Sequence, residues 1–332
     1  MAKSKAPVVL MGTTAAAAIA CLLCWQRSQA RRAQVLASRF TGAYRKEAYT
    51  MILLALKCGD AIRRCDEGRG ASAHWKDIDG IDPVTKTDQE NEALVVEGLA
   101  AAFPDHAVIG EEAAAAAGAI PPLSSKTNTF IVDPIDGTQN FVHGAPLSAV
   151  SIGLCRRGEP VLGIVYDPHR DELFAGAHGE GAFMNGERIF CDSSVESLTS
   201  ALLVTDVGYE RSFEGIEKML SGYRRLLECR CQSFRIIGST VLSIIWVACG
   251  RANAFAIGFN NEGGKPWDYA AAYVIAKEAG ALFSRLDNRS YGDVSSSGSS
   301  AGTTPFDIYS RSCVCAGSSQ LTKELLGALQ TV

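Results

Sequence analysis

The chain has 332 residues, 47% hydrophobic and 20% charged, with a formal net charge of −4. That composition gives a globular protein able to bury a large core in one or two domains. Its mild acidity, with no basic block interleaved with aromatics, excludes an ordinary nucleic-acid binder, and 11 cysteines without zinc-knuckle spacing read as thiols of a reducing compartment.

Residues 7–25 are apolar and alanine-rich, preceded by Lys3 and Lys5 and followed by Arg27, Arg31, Arg32 and Arg39. A span of this length just reaches the ~20 residues that cross a bilayer. Residues 1–32 are therefore expected to be a membrane anchor, a cleaved signal peptide or an organelle-targeting segment. As an anchor, the excess of positive charge after the span leaves the body in the cytoplasm.

Over residues 33–64, apolar side chains such as Val35, Leu36, Phe40, Met51 and Ile52 recur at three- and four-residue steps. That spacing predicts one long core-packing helix. A polar loop at 68–80 carries Lys76 and Asp77. The next helix is expected to start with Thr87 or Asp88 as cap, to show Leu94, Val95, Leu99 and Phe103 on its apolar face, and to stop at Pro104. Residues 108–112 read as a short strand ending in Glu111-Glu112, and 113–118 as an alanine run, helical or loose.

Phe130-Ile131-Val132 ends a buried strand and runs into Asp133-Pro134-Ile135-Asp136-Gly137-Thr138. Pro134 stiffens the exit, and Gly137 permits a tight turn. Two carboxylates held close on such a turn repel each other unless a cation sits between them. Strands are then expected at 147–155, 161–166, 173–177 and 181–184, with an Asn185-Gly186 hairpin turn. Further on, 202–205, 234–237, 252–259 and 311–315 read as strands, and 216–227 and 321–329 as helices. Gly238-Ser239-Thr240 opens another helix, and a loop at 260–266 delivers Trp267-Asp268 to an alanine-rich helix at 269–280. The Ser/Gly-rich insertion at 288–304 has the composition of a surface loop.

Four acidic clusters result: Asp88, Glu111-Glu112, Asp133/Asp136 and Asp268. Each lies at a helix start, strand end or turn. A two-metal phosphoryl site must gather such acids from distant parts of a chain. No Gly-x-Ser-x-Gly elbow or P-loop accompanies them, and no histidine pair has metal spacing, so they suit Mg²⁺ better than Zn²⁺.

The run Asp133-Pro134-Ile135-Asp136-Gly137-Thr138-Gln139-Asn140-Phe141-Val142-His143 resembles the central signature of the inositol monophosphatase family of lithium-sensitive, Mg²⁺-dependent phosphatases. Ile109-Gly110-Glu111-Glu112 resembles its first acidic element, and Trp267-Asp268-Tyr269-Ala270 its C-terminal signature. The resemblance implies an α/β (α+β) fold layered αβαβα, as in fructose-1,6-bisphosphatase, with residues 33–332 as one catalytic domain. It implies a homodimer, lithium inhibition, and two or three Mg²⁺ per site. The implied reaction is hydrolysis of a small phosphorylated substrate, foremost myo-inositol monophosphate, by metal-activated water.

By the same resemblance Glu111, Asp133, Asp136 and Asp268 are metal ligands, with Ile135 giving its carbonyl. Asp88 and Thr138 orient the attacking water, and Glu112 is a supporting catalytic acid. Gly137, Thr138, Gly238, Ser239, Thr240 and Asp268 touch substrate. Two departures concern specificity. Typical members carry a glutamate shortly before Trp-Asp that holds an inositol hydroxyl; Ala256-Ile257-Gly258 stands in that region, and Glu262 follows in an extra loop that reads as flexible. Gly208-Tyr209-Glu210 is bulkier than a sugar-alcohol pocket needs. Histidinol phosphate, a sugar phosphate or 3′-phosphoadenosine phosphate are alternative substrates, and an inactive membrane-anchored scaffold is an alternative role.

Overall fold

A computed structural model of the chain describes residues 10–66, 73–76, 82–260, 262–286 and 306–330. The insertion at 288–304 lies outside them. Helices α1 (Leu10–Ala37) and α2 (Arg45–Asp66) open the fold. The single helix expected over 33–64 is thus two, because the chain turns at 38–44. There Phe40 is buried in the core, and the Glu180 carboxylate accepts from both the N–H and the hydroxyl of Thr41. Ala33, Leu36 and Ala37 are buried, whereas Val35 is 58% exposed.

Among the described residues no helix is long and apolar enough to cross a membrane, so the anchor expected at 7–25 finds no support. Alanine, glycine and threonine dilute the hydropathy of that stretch. The end of α1 instead lies on the protein, where Arg32 Nη1 bonds Asp171 Oδ1 at 2.6 Å.

Strands β1 (Ala73–Trp75) and β2 (Pro83–Thr85) form a small antiparallel ribbon. Helix α3 (Lys86–Ala102) follows, capped by Thr85 rather than by Thr87 or Asp88. Its buried face includes Asp88, Asn91 and Glu92, while Leu94, expected in the core, is exposed. Then come β3 (Ala107–Gly110), α4 (Glu111–Ala117), β4 (Thr129–Asp136), α5 (Thr138–Val142), β5 (Ala149–Arg156), β6 (Glu159–Asp167), β7 (Glu172–Ala177), β8 (Gly181–Met184) and β9 (Glu187–Arg188). The alanine run is therefore helical. Asn185 and Gly186, both at positive φ, make the β8–β9 turn, as that dipeptide predicts.

The second half runs β10 (Leu202–Thr205), α6 (Phe213–Glu228), β11 (Ser233–Ile236), α7 (Thr240–Ala248), β12 (Ala254–Ile257), α8 (Pro266–Glu278), β13 (Leu282–Ser284), β14 (Cys313–Ala316) and α9 (Ser319–Gln330). One sheet has the order β3-β4-β5-β6-β7-β8-β9 and is antiparallel apart from β3–β4; the other has the order β11-β10-β12-β14-β13 and is mixed. Helices α1–α3 cover the outer side of the first sheet. Helices α7 and α8 fill the space between the sheets, and α6 and α9 cover the second. The layers are αβαβα.

Gly153, Gly163 and Gly176 stand side by side on β5, β6 and β7. A Cβ on Gly163 would fall 2.2 Å from Ala271 O, so this glycine row lets the alanine face of α8 lie against the sheet. That close seating brings the start of α8 to the end of β4.

Candidate active site

In a regular strand, residues three apart face opposite sides. Asp133 pairs with Ser151 and Asp136 with Ala149, so β4 spends three steps where β5 spends two. Pro134 cannot donate to the ladder, and the extra residue forms a bulge. The bulge shifts the phase and turns both aspartates to one side. Asp268 arrives from the first turn of α8, two residues after the Pro266 that starts it. Its Oδ2 accepts from Lys265 N at 2.5 Å, and Ser151 Oγ donates to Trp267 O at 3.1 Å. Carboxylate oxygens of Asp133, Asp136 and Asp268 then lie within 4.8 Å of one another. Burial and mutual repulsion push all three carboxyls above the ordinary range, Asp268 to about 6.

Glu111 borders the same cavity but belongs to a second group. Lys76 Nζ bonds Glu111 at 2.8 Å and Glu112 at 2.9 Å, drawing both acids toward the ammonium. Glu112 is nonetheless pushed up to about 7 by burial and by Glu111. The start of α4 is fixed from behind by Glu92, whose two oxygens accept from Glu112 N and Ala113 N, each at 2.8 Å.

Asp88 is fully buried and pushed up to about 6, chiefly by that burial. Its Oδ2 takes the N–H and the hydroxyl of Thr85. Its Oδ1 faces the Thr138 hydroxyl at 3.5 Å, which also donates to Ile135 O at 2.9 Å. The cavity over these groups measures about 720 Å³, and its outer wall includes Tyr209, Arg211, Ile236 and Glu262. Gly137, Thr138, Gly238 and Thr240 line it. The Ser239 side chain does not: it bonds Asp136. Sequence position alone assigns no role to Lys76, Glu92 or Asp206, although Asp206 also lines the cavity. Of these only Glu92 had a readable signal, sitting one turn after Asp88 on the same helical face.

The Inositol monophosphatase family model matches residues 45–332. The chain belongs to the inositol monophosphatase family. Inositol monophosphatase 2 of Solanum lycopersicum is 42% identical over 69% of this chain and 83% of its own length. Inositol monophosphatase 2 of Mus musculus is 34% identical over 85% of this chain and 89% of its own. Among solved structures, the extragenic suppressor protein suhB of Bartonella henselae superposes with TM-score 0.70 at 26% identity, covering 85% of this chain and 97% of that one. The Thermotoga maritima IMPase gives TM-score 0.66 at 28% identity over 83% and 93%. The chain is thus a phosphoric monoester hydrolase.

The donor set of this family member fits a hard divalent cation. All three clustered donors are carboxylate oxygens, which suit Mg²⁺ rather than thiophilic metals, and their mutual repulsion is what a cation would relieve. A pH dependence follows. In the metal-free protein these acids hold protons to higher pH folded than unfolded. Between the ordinary carboxylate pKa near 4 and about pH 6–7, the folded state therefore binds more protons, and stability falls as pH rises. The melting temperature in chelator should rise by on the order of 5 °C from about pH 8 to about pH 5.5. A chelated protein that melts at the same temperature across that range would contradict the crowding of these carboxylates.

Proposed function

We propose that residues 33–332 form a Mg²⁺-dependent phosphatase that hydrolyses myo-inositol monophosphate to inositol and phosphate. The observation that carries this reading is the three-carboxylate cluster lining one cavity together with Thr138, whose hydroxyl faces Asp88 behind it. Asp133, Asp136, Asp268, Glu111 and the Ile135 carbonyl would hold two or three ions. Bound Mg²⁺ supplies Lewis acidity toward the phosphoryl oxygens and lowers the pKa of water. The N–H groups of Gly137 and Thr138 receive phosphate oxygens. Thr138 and Asp88 orient the attacking water, and Asp88 Oδ1 takes its proton. Lys76 offsets the charge of Glu111 and Glu112, so that Glu112 supports Glu111 from behind.

On the alcohol side, Glu262 Oε2 is buried without a hydrogen-bond partner among the described residues. A buried carboxylate oxygen with no donor is costly, and a substrate hydroxyl would satisfy it. Glu262 thus stands in for the glutamate that the sequence lacks around Ala256-Ile257-Gly258. The Glu262→Ala variant should lose about 10–100-fold in kcat/KM, the worth of one charge-assisted hydrogen bond, mostly through KM. Unchanged kinetics would remove Glu262 from the substrate site.

A second reading, the same chemistry on a larger alcohol, is favoured by the cavity volume and by Tyr209 and Arg211 at its mouth. Phosphate release from inositol, histidinol, sugar and 3′-nucleotide monoesters separates the two, with Mg²⁺ present and with added Li⁺. No release from any of them would sink the phosphatase reading. We also propose a homodimer. Phe213, Leu220 and Leu227 are exposed on α6 at seven-residue steps. Such a stripe is self-complementary when two copies pack antiparallel. Sedimentation at micromolar protein reads the outcome directly.

A further inference from the structure

The cavity lies at the seam between the two sheets. The seven-stranded sheet contributes the β4 bulge and the turn at Gly137; the five-stranded sheet contributes the turn from β11 into α7. The Asn140 side chain joins them. Asn140 Nδ2 donates to Ile237 O at 2.8 Å, to Leu147 O at 2.9 Å and to Gly238 O at 3.1 Å. An amide nitrogen has two protons, so one is shared between neighbouring carbonyls. With three oxygens around it, the amide can be seated only nitrogen-first. Two glycines permit the close approach: a Cβ on Gly238, at φ +70°, would fall 3.0 Å from Asn140 Nδ2, and one on Gly137 would fall 2.7 Å from Leu147 O.

What this clasp holds is the first turn of α7. Ser239 caps that helix, accepting from Leu242 N at 3.1 Å. The same hydroxyl donates to Asp136 Oδ2, and Val241 N donates to that oxygen at 3.1 Å. One oxygen of Asp136 is thereby occupied, its rotation is fixed, and Oδ1 is left for the cavity. Groups that orient a ligating carboxylate in this way govern metal affinity without touching the ion.

We propose that Asn140 and Ser239 are positioning residues, which clasp α7 to the central turn and so set Asp136 for cation binding. The inference rests on the reading of Asp136 as a metal ligand, made above. Calorimetric titration of the full chain with Mg²⁺, without substrate, tests it. Ser239→Ala and Asn140→Ala should each weaken Mg²⁺ binding about 10–100-fold. Ser239→Thr, which keeps the hydroxyl, should restore it, and Asn140→Asp, which puts a carboxylate among three carbonyls, should not. Circular dichroism establishes that each variant is folded. If Asn140→Ala does not fold, the Ser239→Ala and Ser239→Thr pair carries the test. Wild-type affinity in folded Ser239→Ala and Asn140→Ala would overturn this inference alone. A wild-type chain that takes up no Mg²⁺ would overturn it together with the metal-site reading.

Discussion

Asp133→Asn should lose Mg²⁺-dependent phosphate release while the protein remains folded. Asp133 is buried beside Asp136 and Asp268, and its Oδ1 accepts from Ile135 N at 3.1 Å. An asparagine keeps that acceptor and the volume, so the β4 bulge survives. What it removes is the anionic oxygen at the centre of the cluster. Lewis-acid stabilisation of phosphoryl transfer is worth several kcal/mol, so the rate should drop roughly 10³-fold or more. The Mg²⁺-induced rise in melting temperature should vanish with it. The metal-free variant should be more stable than the metal-free wild type above about pH 6, because one of three repelling charges has gone. Opposite movement of stability and activity marks a residue kept for function. Retention of Mg²⁺-dependent turnover would remove Asp133 from the metal site.

Periodicities and turn residues made the individual elements legible in the sequence, and the family resemblance implied their layering. The runs at 181–184 and 202–205 became strands with those limits, and Asn185-Gly186 made its hairpin. Boundaries failed where tertiary contacts override local pattern. Phe40 fits the helical stripe of residues 33–64, yet it turns inward where Thr41 meets Glu180, a residue 139 positions away. Leu94, expected in the core, is exposed while Glu92 is buried, because α3 faces α4, whose N–H groups donate to the Glu92 carboxylate.

The candidate site was legible as far as its acids, since a bulge made by Pro134 and a helix started by Pro266 are local events. The ammonium that pairs with two of them was not. Lys76 stood in a polar loop with nothing in its neighbours to aim it at Glu111. The resemblance makes Ser239 a substrate contact; only the meeting of the α7 start with the end of β4 turns its hydroxyl to Asp136. Glu262 looked like part of a mobile loop, and burial against the cavity wall was visible only in three dimensions.

Asp88→Asn is the second large expected effect, and it separates proton transfer from metal binding. Oδ2 of Asp88 is committed to the N–H and hydroxyl of Thr85. The asparagine oxygen takes over that duty, because an amide nitrogen there would confront the Thr85 N–H. The cap of α3 therefore stays, and the NH₂ group is turned toward Thr138. It has no lone pair to accept a proton, and it offers a donor where the wild type offers an acceptor. Loss of a positioned base costs about 10²–10⁴ in rate, with Mg²⁺ affinity near that of the wild type. The pH profile gives an independent check. Burial raises the Asp88 carboxyl to about 6, and the base acts only when ionised, so wild-type kcat should fall as pH drops below about 6. In Asp88→Asn that acid limb should disappear from the residual rate. A limb that persists unchanged in the variant would mean that some other group takes the proton.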